Sequence, residues 1–488
     1  THDRCKTWDQ FFNLPAAQFY TVSVDMQQPY HVYGGLQDNG TFGGPNRSRN
    51  PSGIQVWDWY RVGGGDGFYV CVDPTDPEVV IAESQFGYIY RLQRSTGERK
   101  GIRPPQSDPD GLADRYNWNS PIVQSVHDSR VIYFGGNKLF RSRNHGDHWE
   151  VISPDLTRQD PSRIAGNVPH CTITTISESP LKPGNLLVGT DDGLLQWTKD
   201  GGNNWERVSD SLPFKPLDWW CSRVVQSRHG EGKAYATFTG YREDDFRPFI
   251  FKTTNYGESW IEIKGNLPDE PINVVAEDPA NENVLYVGTE LGVYATIDGG
   301  KTWETLGKGL PRVAVHDLVI HPRDRDLVVG THAKGFYILD DVTPLHEISE
   351  ATQEEEAYLF RVQDAIKWQM VRGETTSGDR KFQSENPPNG VHITYSLGQA
   401  LEAEQVELKI YDSANKEVMK LEAPSEQGVH RLVCSFDGGR RTGRGGPGRR
   451  NGGSALKPGR YYAVLKVNGE EYEQGFEVKP DPMLETGK

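Results

Sequence analysis

The stretch TIDGGKTW at residues 296–303 decides the fold, because close copies of it recur along the first two thirds of the chain. The other copies are SRNHGDHW (142–149), TKDGGNNW (198–205) and TTNYGESW (253–260), and a degenerate copy, THDRCKTW, occupies residues 1–8. The shared pattern, here named the repeat phrase, is Ser/Thr-x-Asp/Asn-x-Gly-x-x-Trp. Recurrence at intervals of about fifty residues indicates an array of one supersecondary unit.

Strand-like runs precede each repeat phrase. Residues 186–197 (LLVGTDDGLLQW) and 284–295 (VLYVGTELGVYA) each contain two apolar runs joined by a glycine-containing turn. A further run upstream ends in Asp-Pro, as in VVAEDP at 274–279. Short β-prone runs bounded by Gly, Pro, Asn and Asp are typical of strands. Three strands before the phrase and one after it predict a four-stranded antiparallel sheet, which is the blade of a β-propeller.

The repeat phrase itself is predicted to be a structural turn between the third and fourth strands. Its Asp or Asn side chain can accept backbone N–H groups, and its glycine suits a left-handed φ. Its tryptophan can bury roughly 150–250 Å² of surface at the outer edge of the blade. The acceptors are then Asn144, Asp200, Asn255 and Asp298, and the buried rings are Trp149, Trp205, Trp260 and Trp303.

Seven such units can be drawn, the first containing residues 19–40 and the last residues 315–341. We therefore expect an all-β fold with a seven-bladed propeller over residues 1–345, and an eighth blade only if sequence upstream contributes it. The last unit lacks a complete fourth strand. Residues 8–13 could supply this strand, close the ring and remove its exposed sheet edges.

Beyond residue 345 the period is lost. Residues 346–387 are Glu-rich and are interpreted as a linker or crossover. Residues 388–480 contain alternating strand-like runs such as VHITYSL (391–397), which predict a small β-sandwich of the immunoglobulin-like or FlgD-like type. An arginine-rich stretch at 438–453 is predicted to be a solvated, disordered hairpin insertion, because it has no apolar residues to order it.

The composition excludes some classes of partner. A net charge of −15 disfavours nucleic acid, whose phosphates require Lys and Arg for neutralisation. No apolar run approaches the ~20 residues needed to cross a bilayer, so no membrane span is predicted. The chain opens inside the degenerate phrase, so we expect it to come from a longer protein and read nothing from the lack of a leader sequence.

Five cysteines leave at least one thiol unpaired. Cys71, Cys171 and Cys221 fall at corresponding places in the first strands of three of the units, which lie nearest a propeller's axis. Buried free thiols are the simplest interpretation. A Cys171–Cys221 disulfide and a Cys/His metal site beside His170 are the alternatives.

One end of the propeller is the expected place for a functional site. The turn between the second and third strands and the link to the next unit open there, whereas the repeat phrase opens at the other end. These turns and links contain the following residues: Gln37, Asp38, Asn39, Asp66, Tyr116, Asn117, Trp118, His170, Asp191, Asp192, Trp219, Trp220, Tyr241, Arg242, Asp244, Asp245, Glu290, His316, Asp317 and His332.

Carboxylates and aromatic rings gathered at one end suit carbohydrate chemistry. Glycoside hydrolysis needs two carboxylates, one of which keeps its proton near neutrality. We predict this pair to be Asp38 or Asp66 with Asp192 or Asp245. Substrate contacts are predicted for a second set: Tyr116, Trp118, Trp220, Tyr241, Glu290, His316 and His332.

Each of these carboxylates also suits a purely structural role, since Asp is a turn former in its own right. The histidines lie in different units and give no local metal-ligand motif. No metal and no cofactor are predicted, although an acidic axial channel could hold structural Ca²⁺.

Several longer phrases resemble those of a known family. They include residues 18–40 (QFYTVSVDMQQPYHVYGGLQDNG), 139–157 (LFRSRNHGDHWEVISPDLT) and 315–341 (VHDLVIHPRDRDLVVGTHAKGFYILDD). The repeat phrase is similar to the Asp-box, or BNR repeat, of sialidases, xyloglucanase-type glycosidases and sortilin. The longer phrases resemble the secreted bacterial "BNR-repeat glycosyl hydrolase" or "sortilin-like" proteins. One departure is THAKG at 331–335, where a THGRG-like turn would be expected.

The resemblance implies that this chain is the C-terminal half of a two-propeller protein, with the upstream propeller as a partner. It implies a secreted, extracellular or periplasmic location and a polysaccharide or glycan ligand. Glycoside hydrolysis is the expected activity. The alternative is a non-catalytic, sortilin-like scaffold that binds a protein, a peptide or a glycan. A sialidase is disfavoured, because acidic loops would repel an anionic sugar.

Overall fold

The structure is a computed structural model that describes residues 1, 3–8, 13–14, 16–164, 166–213, 219–348, 352, 354–371, 382–437 and 455–484. The chain forms two compact units. The large unit comprises Leu14–Pro45 and Trp57–Leu339, and the small unit comprises Thr1–Asn13, Asn46–Val56 and Asp340–Lys488. No helix in the described part of the chain is long and apolar enough to span a membrane.

Short strands dominate both units. The strands as far as Leu339 are β1 (Ala17–Val24), β2 (His31–Leu36), β3 (Gly40–Pro45), β4 (Ile54–Gln55), β5 (Tyr60–Gly63), β6 (Gly67–Val72), β7 (Val79–Ser84), β8 (Tyr88–Gln93), β9 (Glu98–Gly101), β10 (Ile122–Gln124), β11 (Ile132–Gly135), β12 (Leu139–Ser142), β13 (Trp149–Val151), β14 (Ile173–Glu178), β15 (Leu186–Thr190), β16 (Leu195–Thr198), β17 (Glu206–Arg207), β18 (Trp220–Gln226), β19 (Ala234–Gly240), β20 (Asp245–Thr253), β21 (Ile261–Glu262), β22 (Ile272–Glu277), β23 (Leu285–Thr289), β24 (Gly292–Thr296), β25 (Glu304–Leu306), β26 (Val315–Ile320), β27 (Leu327–Ala333) and β28 (Phe336–Leu339).

The remaining elements belong to the small unit or are short helices. The strands are β29 (Ala357–Leu359), β30 (Ala365–Lys367), β31 (Gln383–Ser384), β32 (Gly390–Leu397), β33 (Val406–Asp412), β34 (Glu417–Leu421), β35 (Gly428–Ser435), β36 (Gly459–Val467) and β37 (Glu470–Pro480). The α-helices are α1 (Pro161–Ile164), in the large unit, and α2 (Thr343–Glu347).

The strands of the large unit pair antiparallel in consecutive groups, as the sequence predicts. Four-stranded sheets are formed by β6–β9, β10–β13, β14–β17, β18–β21 and β22–β25. Strands β1, β2, β3 and β5 pair in the same order, and β26 and β28 both pair with β27. Second strands such as β15 and β19 are buried along their whole length, because a neighbouring sheet covers each of their faces.

The groups form a ring around one axis. The first strand of each group contacts the first strand of the next, and β26 contacts β1. Strand β1 also pairs with β27 through Ala17 and Gln18, which joins the last group to the first. The large unit is therefore a β-propeller, and we interpret its groups as seven blades. The predicted fourth strand of the last blade falls mostly on residues 9–12, which lie outside the described residues.

Side-chain hydrogen bonds connect neighbouring first strands. The Thr21 hydroxyl donates to the Phe68 carbonyl oxygen (2.7 Å), and the Thr174 hydroxyl donates to the Cys221 carbonyl oxygen (2.6 Å). Across the ring closure, the backbone N–H of Val22 donates to the Asp317 carboxylate (2.9 Å). These bonds satisfy backbone groups that would otherwise be buried without a partner at the axis.

Each repeat phrase folds into the same turn. In TIDGGKTW, the Asp298 carboxylate accepts the N–H groups of Lys301 and Thr302 (both 3.0 Å), and the Thr296 hydroxyl accepts the N–H of Gly300 (3.1 Å). Gly300 has a φ of +95°, in the left-handed region where a side chain is strained. In the degenerate phrase Cys5 takes this conformation, with a φ of +66°.

The tryptophan of each of the four intact phrases also bonds to the preceding blade. The Trp303 indole donates to the Ile263 carbonyl oxygen (3.0 Å), just after the last strand of the fifth blade. The other indoles do the same: Trp149 to Ile102, Trp205 to Ile152, and Trp260 to Val208. The ring is therefore both a buried apolar surface and a hydrogen-bonded link between neighbouring sheets.

The hydrophobic cores of the large unit lie between adjacent blades. One cluster combines Ile81 and Ile89 of the second blade with Phe134 and Phe140 of the third. The cysteines are free thiols, so the predicted alternative of a Cys171–Cys221 disulfide is wrong. Cys221 fills the space over Gly189, where an added Cβ would lie 2.2 Å from its sulfur.

The small unit contains two sheets around one core. Strands β29, β32 and β35 form one sheet, and β30, β37, β36, β33 and β34 form the other. Residues from both, such as Ile393 and Leu465, share a buried cluster, and we interpret the pair of sheets as the sandwich that the sequence predicts. Strand β4, from the segment between β3 and β5, pairs with β31 in this unit. The arginine-rich stretch at 438–453 lies outside the described residues.

Candidate functional site

A cavity of about 1070 Å³ opens in the large unit at the end of the ring opposite the repeat phrases. Its rim consists of turns between second and third strands and of links between blades, as expected from the antiparallel order. Its wall contains aromatic, acidic, guanidinium and imidazole groups. The aromatic residues are Tyr20, Tyr69, Trp118, Trp220, Tyr241 and Phe246; the acids are Asp191, Glu243, Asp269, Glu270 and Glu290; the basic residues are Arg163, Arg223, Arg242, His170, His316 and His332.

Residues from irregular points in the first strands line the floor of the cavity. In β14, β18, β22 and β26 the pairing register with the second strand shifts at the same place. The residues at these shifts are Thr174, Ser222, Asn273 and His316, and all of them line the cavity. A β-bulge re-aims a side chain. The repeated bulge therefore directs one polar side chain from each of these four blades towards the mouth.

Two stacked imidazoles occupy one side of the cavity. The rings of His316 and His332 lie 4.2 Å apart and almost parallel, and the Tyr20 ring lies 4.8 Å from His332. Burial lowers the pKa of His316 to about 3, and electrostatic repulsion from His332 and Arg242 acts in the same direction. His316 is therefore neutral at physiological pH and can serve as a hydrogen-bonding group.

Aromatic contacts also fix Trp118. Its ring is perpendicular to Phe86 at 4.9 Å and to Phe68 at 6.1 Å. The edges of two neighbouring rings thus hold the indole in place while it contributes to the cavity wall. A ring held in this way offers an apolar surface without a large loss of side-chain entropy on binding.

An ion pair lies at the floor of the cavity. The Arg223 guanidinium donates to the Asp317 carboxylate (2.8 Å), and the Arg223 Nε is buried without a hydrogen-bond partner among the described residues. Asp317 also accepts the N–H of Val22. Burial raises the pKa of Asp317 although Arg223 opposes this shift. The pair joins the fifth and seventh blades and neutralises most of the charge of Arg223.

Asp191 has the strongest chemical signature among the acids of the cavity. Its carboxylate accepts the Thr172 N–H (2.9 Å), the Thr172 hydroxyl (2.7 Å) and the Asn117 amide (3.0 Å). The imidazole of His170 lies 3.9 Å away. Burial raises the pKa of Asp191 to about 6, so part of the population carries a proton near neutrality.

The predicted acid pair lies elsewhere. Asp66 is buried and accepts the N–H of Asp38 (2.6 Å), and Asp192 is buried and accepts the N–H of Arg158 (2.7 Å). Asp245 pairs with Arg247 (2.7 Å), whose hydrogen bond lowers the pKa of this carboxyl group. Asp38, Asp66, Asp192 and Asp245 are absent from the wall of this cavity. Asp66 and Asp192 act as turn caps, the structural alternative stated above.

The predicted contact residues divide into two groups. Trp118, Trp220, Tyr241, Glu290, His316 and His332 all line the one cavity. The ring of Tyr116 is buried against Phe134 at 5.3 Å, so it belongs to the core between two blades. No group of three or more His, Cys, Asp or Glu side chains that could hold a metal ion occurs among the described residues, which gives the alternative of a Cys/His metal site beside His170 no support.

The sequence interpretation missed several residues of the wall, including Tyr20, Tyr69, Arg223, Glu270 and Asn273. Most lie in or beside first strands, where the sequence alone does not distinguish them from ordinary strand residues. A signal was present: a polar residue interrupts the apolar run at one place in CTITTI, CSRVV, INVV and VHDLV. Only the bulges show that this polar residue faces the axis.

No family model matches the chain, so the comparisons with known proteins leave its family open. A curated relative, the "Probable oligoxyloglucan-reducing end-specific xyloglucanase" of Neosartorya fischeri, is 29% identical over 131 residues. This match covers 25% of the chain and only 13% of the relative's own length.

The solved structures that match the chain share little sequence with it. The GH74 xyloglucanase from Xanthomonas campestris is 14% identical, with a TM-score of 0.48 over 96% of this chain and 81% of that one. YCF48 from Cyanidioschyzon merolae is 12% identical, with a TM-score of 0.46 over 68% and 98%. PorZ of Porphyromonas gingivalis is 11% identical, with a TM-score of 0.45 over 97% and 61%. The assignment of the fold rests on the strand order and ring closure described above.

Proposed function

We propose that the cavity at the mouth of the propeller binds an oligosaccharide. The observation that carries this proposal is the combination, in one cavity of about 1070 Å³, of aromatic rings with carboxylate and amide groups. This volume is at the upper end of ligand pockets, which run from about 300 to 1,000 Å³, and leaves room for several sugar units. Rings such as Trp118 and Trp220 can stack on sugar C–H faces, while Asn273 and Glu290 can bond hydroxyl groups.

Asp191 favours hydrolysis of the bound glycan. A glycosidase requires one carboxylic acid that keeps its proton near neutrality and donates it to the leaving oxygen. The pKa of about 6 gives Asp191 this property, in place of its neighbour Asp192. Glu290, held by the amide of Asn273 at 2.9 Å, supplies the second carboxylate. The name of the curated relative, a xyloglucanase, makes xyloglucan oligosaccharides the first substrates to test.

The test is a binding and cleavage screen of neutral oligosaccharides with the wild-type chain, Trp220→Ala, Asp191→Asn and Glu290→Gln. Glu98→Gln is the control, since Glu98 is exposed and absent from the cavity wall. We expect Trp220→Ala to weaken binding at least ~5-fold through the loss of a stacking ring. Asp191→Asn should retain binding but lose at least ~100-fold in cleavage, as the general acid is removed.

The pH dependence gives a second readout. Cleavage should decline as the pH rises through about 6, because Asp191 then loses the proton that it must donate. Binding without cleavage at any pH would refute hydrolysis and leave a glycan-binding propeller. If no glycan binds and a peptide does, the peptide-binding alternative replaces the proposal. We extend the proposal to the location of the protein, which we propose to be secreted or periplasmic. Signal processing and localisation of the protein in the source cell would test this.

A further inference from the structure

Arg242 contacts two aromatic rings of the cavity wall. Its guanidinium carbon lies 4.5 Å from the centre of the Trp220 ring and 4.6 Å from that of Tyr241. Among the described residues Arg242 makes no salt bridge, so these two rings are its principal partners. A cation over an aromatic face is attracted by the negative charge of the ring. Trp220 and Tyr241 therefore already bind a cation, which the protein itself supplies.

The exposed side chain of Arg242 can give way to a competing cation without movement of the turn that carries it. Residues Tyr241–Glu243 form one short 3₁₀ turn at the rim, and all of them are exposed. Because Arg242 lacks a carboxylate partner, its displacement breaks no salt bridge. The two rings would remain on the wall, with Trp220 held by strand β18.

The charge around these rings favours a cationic ligand. Carboxylates outnumber guanidinium groups along the cavity wall, and Asp317 largely neutralises Arg223. Glu243 and Asp269 are exposed and have no salt-bridge partner in the described part of the chain. A cavity with an excess of one charge concentrates ligands of the opposite charge. Negative charge and a pair of rings that bind a cation thus occur in one place.

We propose that Trp220 and Tyr241 form a cation subsite, filled by Arg242 in the free protein, that accepts the protonated amine of an amino sugar in the bound glycan. This inference rests on the proposed function and specifies its ligand: an oligosaccharide with free amino groups. The ammonium group takes the place of the guanidinium over the rings, and Glu243 and Asp269 provide the countercharge. Loss of the amine charge by acetylation removes the attraction while leaving the sugar ring intact.

The experiment compares three oligosaccharides of equal length by calorimetry with the full chain, at a pH at which amines are protonated. They are glucosamine oligomers, N-acetylglucosamine oligomers and cello-oligosaccharides. The glucosamine oligomer should bind ~3-fold more tightly than the other two, because the attraction of its amine to the rings is offset in part by the attraction that Arg242 gives up. This preference should shrink as salt is added, because the carboxylates at the rim are screened.

Variants of Arg242 distinguish a specific cation subsite from a general electrostatic attraction of the amine to the acidic cavity. Arg242→Ala should bind the glucosamine oligomer ~5-fold more tightly than wild type, because the rings are uncovered and a like charge is removed. Arg242→Lys keeps the competing charge and should stay within ~2-fold of wild type. Glu98→Gln, remote from the cavity, should match wild type.

The outcomes distinguish this inference from the proposed function. Equal affinity for all three oligosaccharides, or no gain from Arg242→Ala, overturns the cation subsite and leaves glycan binding intact. Failure of every oligosaccharide to bind overturns both. A lysine-containing peptide that binds when the glucosamine oligomer does not would also overturn the inference and make the ligand a basic peptide.

Discussion

Asp298 shows how one side chain holds a turn of the repeat phrase. Its carboxylate accepts two backbone N–H groups and the hydroxyls of Thr296 and Thr302 (both 2.6 Å). Burial of the carboxyl group acts to raise the pKa of Asp298, but these donors together outweigh it and lower the pKa to about 2. Two of the phrases carry asparagine here, Asn144 and Asn255, so a neutral acceptor suffices for the turn.

The first prediction concerns this position. Asp298→Ala should lower the free energy of unfolding by about 1–2 kcal/mol, as for the loss of a capping acceptor, and Asp298→Asn by less than about 1 kcal/mol. Glu304→Ala, on the exposed strand β25, is the control and should be nearly neutral. Denaturant unfolding of the three variants measures these differences.

The pH dependence follows from the lowered pKa. A depressed folded-state pKa stabilises the protein above the unfolded value near 4, and this stabilisation is lost as the pH falls towards about 2. The difference between wild type and Asp298→Asn should therefore shrink between pH ~4 and ~2. A difference that stayed constant over this interval would show that the charge of Asp298 does not stabilise the turn.

Between neighbouring blades, buried tyrosines bond to carboxylates. The hydroxyl of Tyr133, in the third blade, donates to Glu178 of the fourth (2.9 Å), and that of Tyr235, in the fifth, donates to Glu277 of the sixth (3.1 Å). Burial and the adjacent carboxylates raise the pKa of both phenols, which therefore stay protonated. The two pairs differ in the number of other hydrogen-bond and ion-pair partners that the carboxylate has.

The second prediction compares these pairs. Glu277 also accepts the Ser227 hydroxyl (2.8 Å) and contacts Lys233 (3.1 Å), whereas Glu178 Oε2 has no partner in the described part of the chain. Tyr235→Phe should therefore cost about 1 kcal/mol, and Tyr133→Phe about 2–3 kcal/mol, because a buried carboxylate loses one of few donors. Equal losses of unfolding free energy in the two variants, measured by chemical unfolding, would contradict this interpretation. The remaining hydrogen-bond partners of the carboxylate would then not set the cost of removing the tyrosine hydroxyl.

At the scale of the whole molecule, the small unit depends on a segment from between two strands of the first blade. Strand β4 pairs with β31, the N–H of Ser48 donates to the side chain of Asn386 (2.8 Å), and Gly53 lies against Ser384. The sequence-based boundaries at 345 and 388 stay a prediction. The compact small unit includes residues 46–56 as well as those after 339.

The third prediction tests this dependence with two glycines of the small unit. Gly53 has a φ of +93°, and an added Cβ would lie 2.0 Å from the Ser384 carbonyl oxygen. Gly469 has a φ of +96° with open space around it. Gly469→Ala should cost about 1–2 kcal/mol from backbone strain alone, and Gly53→Ala at least about 3 kcal/mol, because β4 must also move from β31.

Hydrogen exchange in the full-length variants provides the measurement. Gly53→Ala should accelerate exchange at residues 48–55 and 383–386, while Gly469→Ala should leave these amides protected. Similar protection in both variants would show that the segment at 46–56 contributes little to the small unit.

Much of the architecture was accessible from sequence, and the reason is local. A phrase such as TIDGGKTW combines a capping carboxylate, a left-handed glycine and a tryptophan, and each of these acts within a few residues. The order of strands around the phrase follows directly. The site is less accessible from sequence, because Asp191 and Asp192 are adjacent and have equal turn propensity. Tertiary packing alone directs one to the cavity wall and the other to the cap of a neighbouring segment.

The sequence by itself determined the repeated four-stranded unit, its turn chemistry and the end of the ring that carries the polar loops. It did so because turns and alternating strands are specified by neighbouring residues. The tertiary structure alone decided which side chains meet at the mouth, the pKa of Asp191, the pairing of Arg223 with Asp317 and the contact of Arg242 with two rings. Those properties depend on burial and on distances between blades far apart in sequence, which no local pattern encodes.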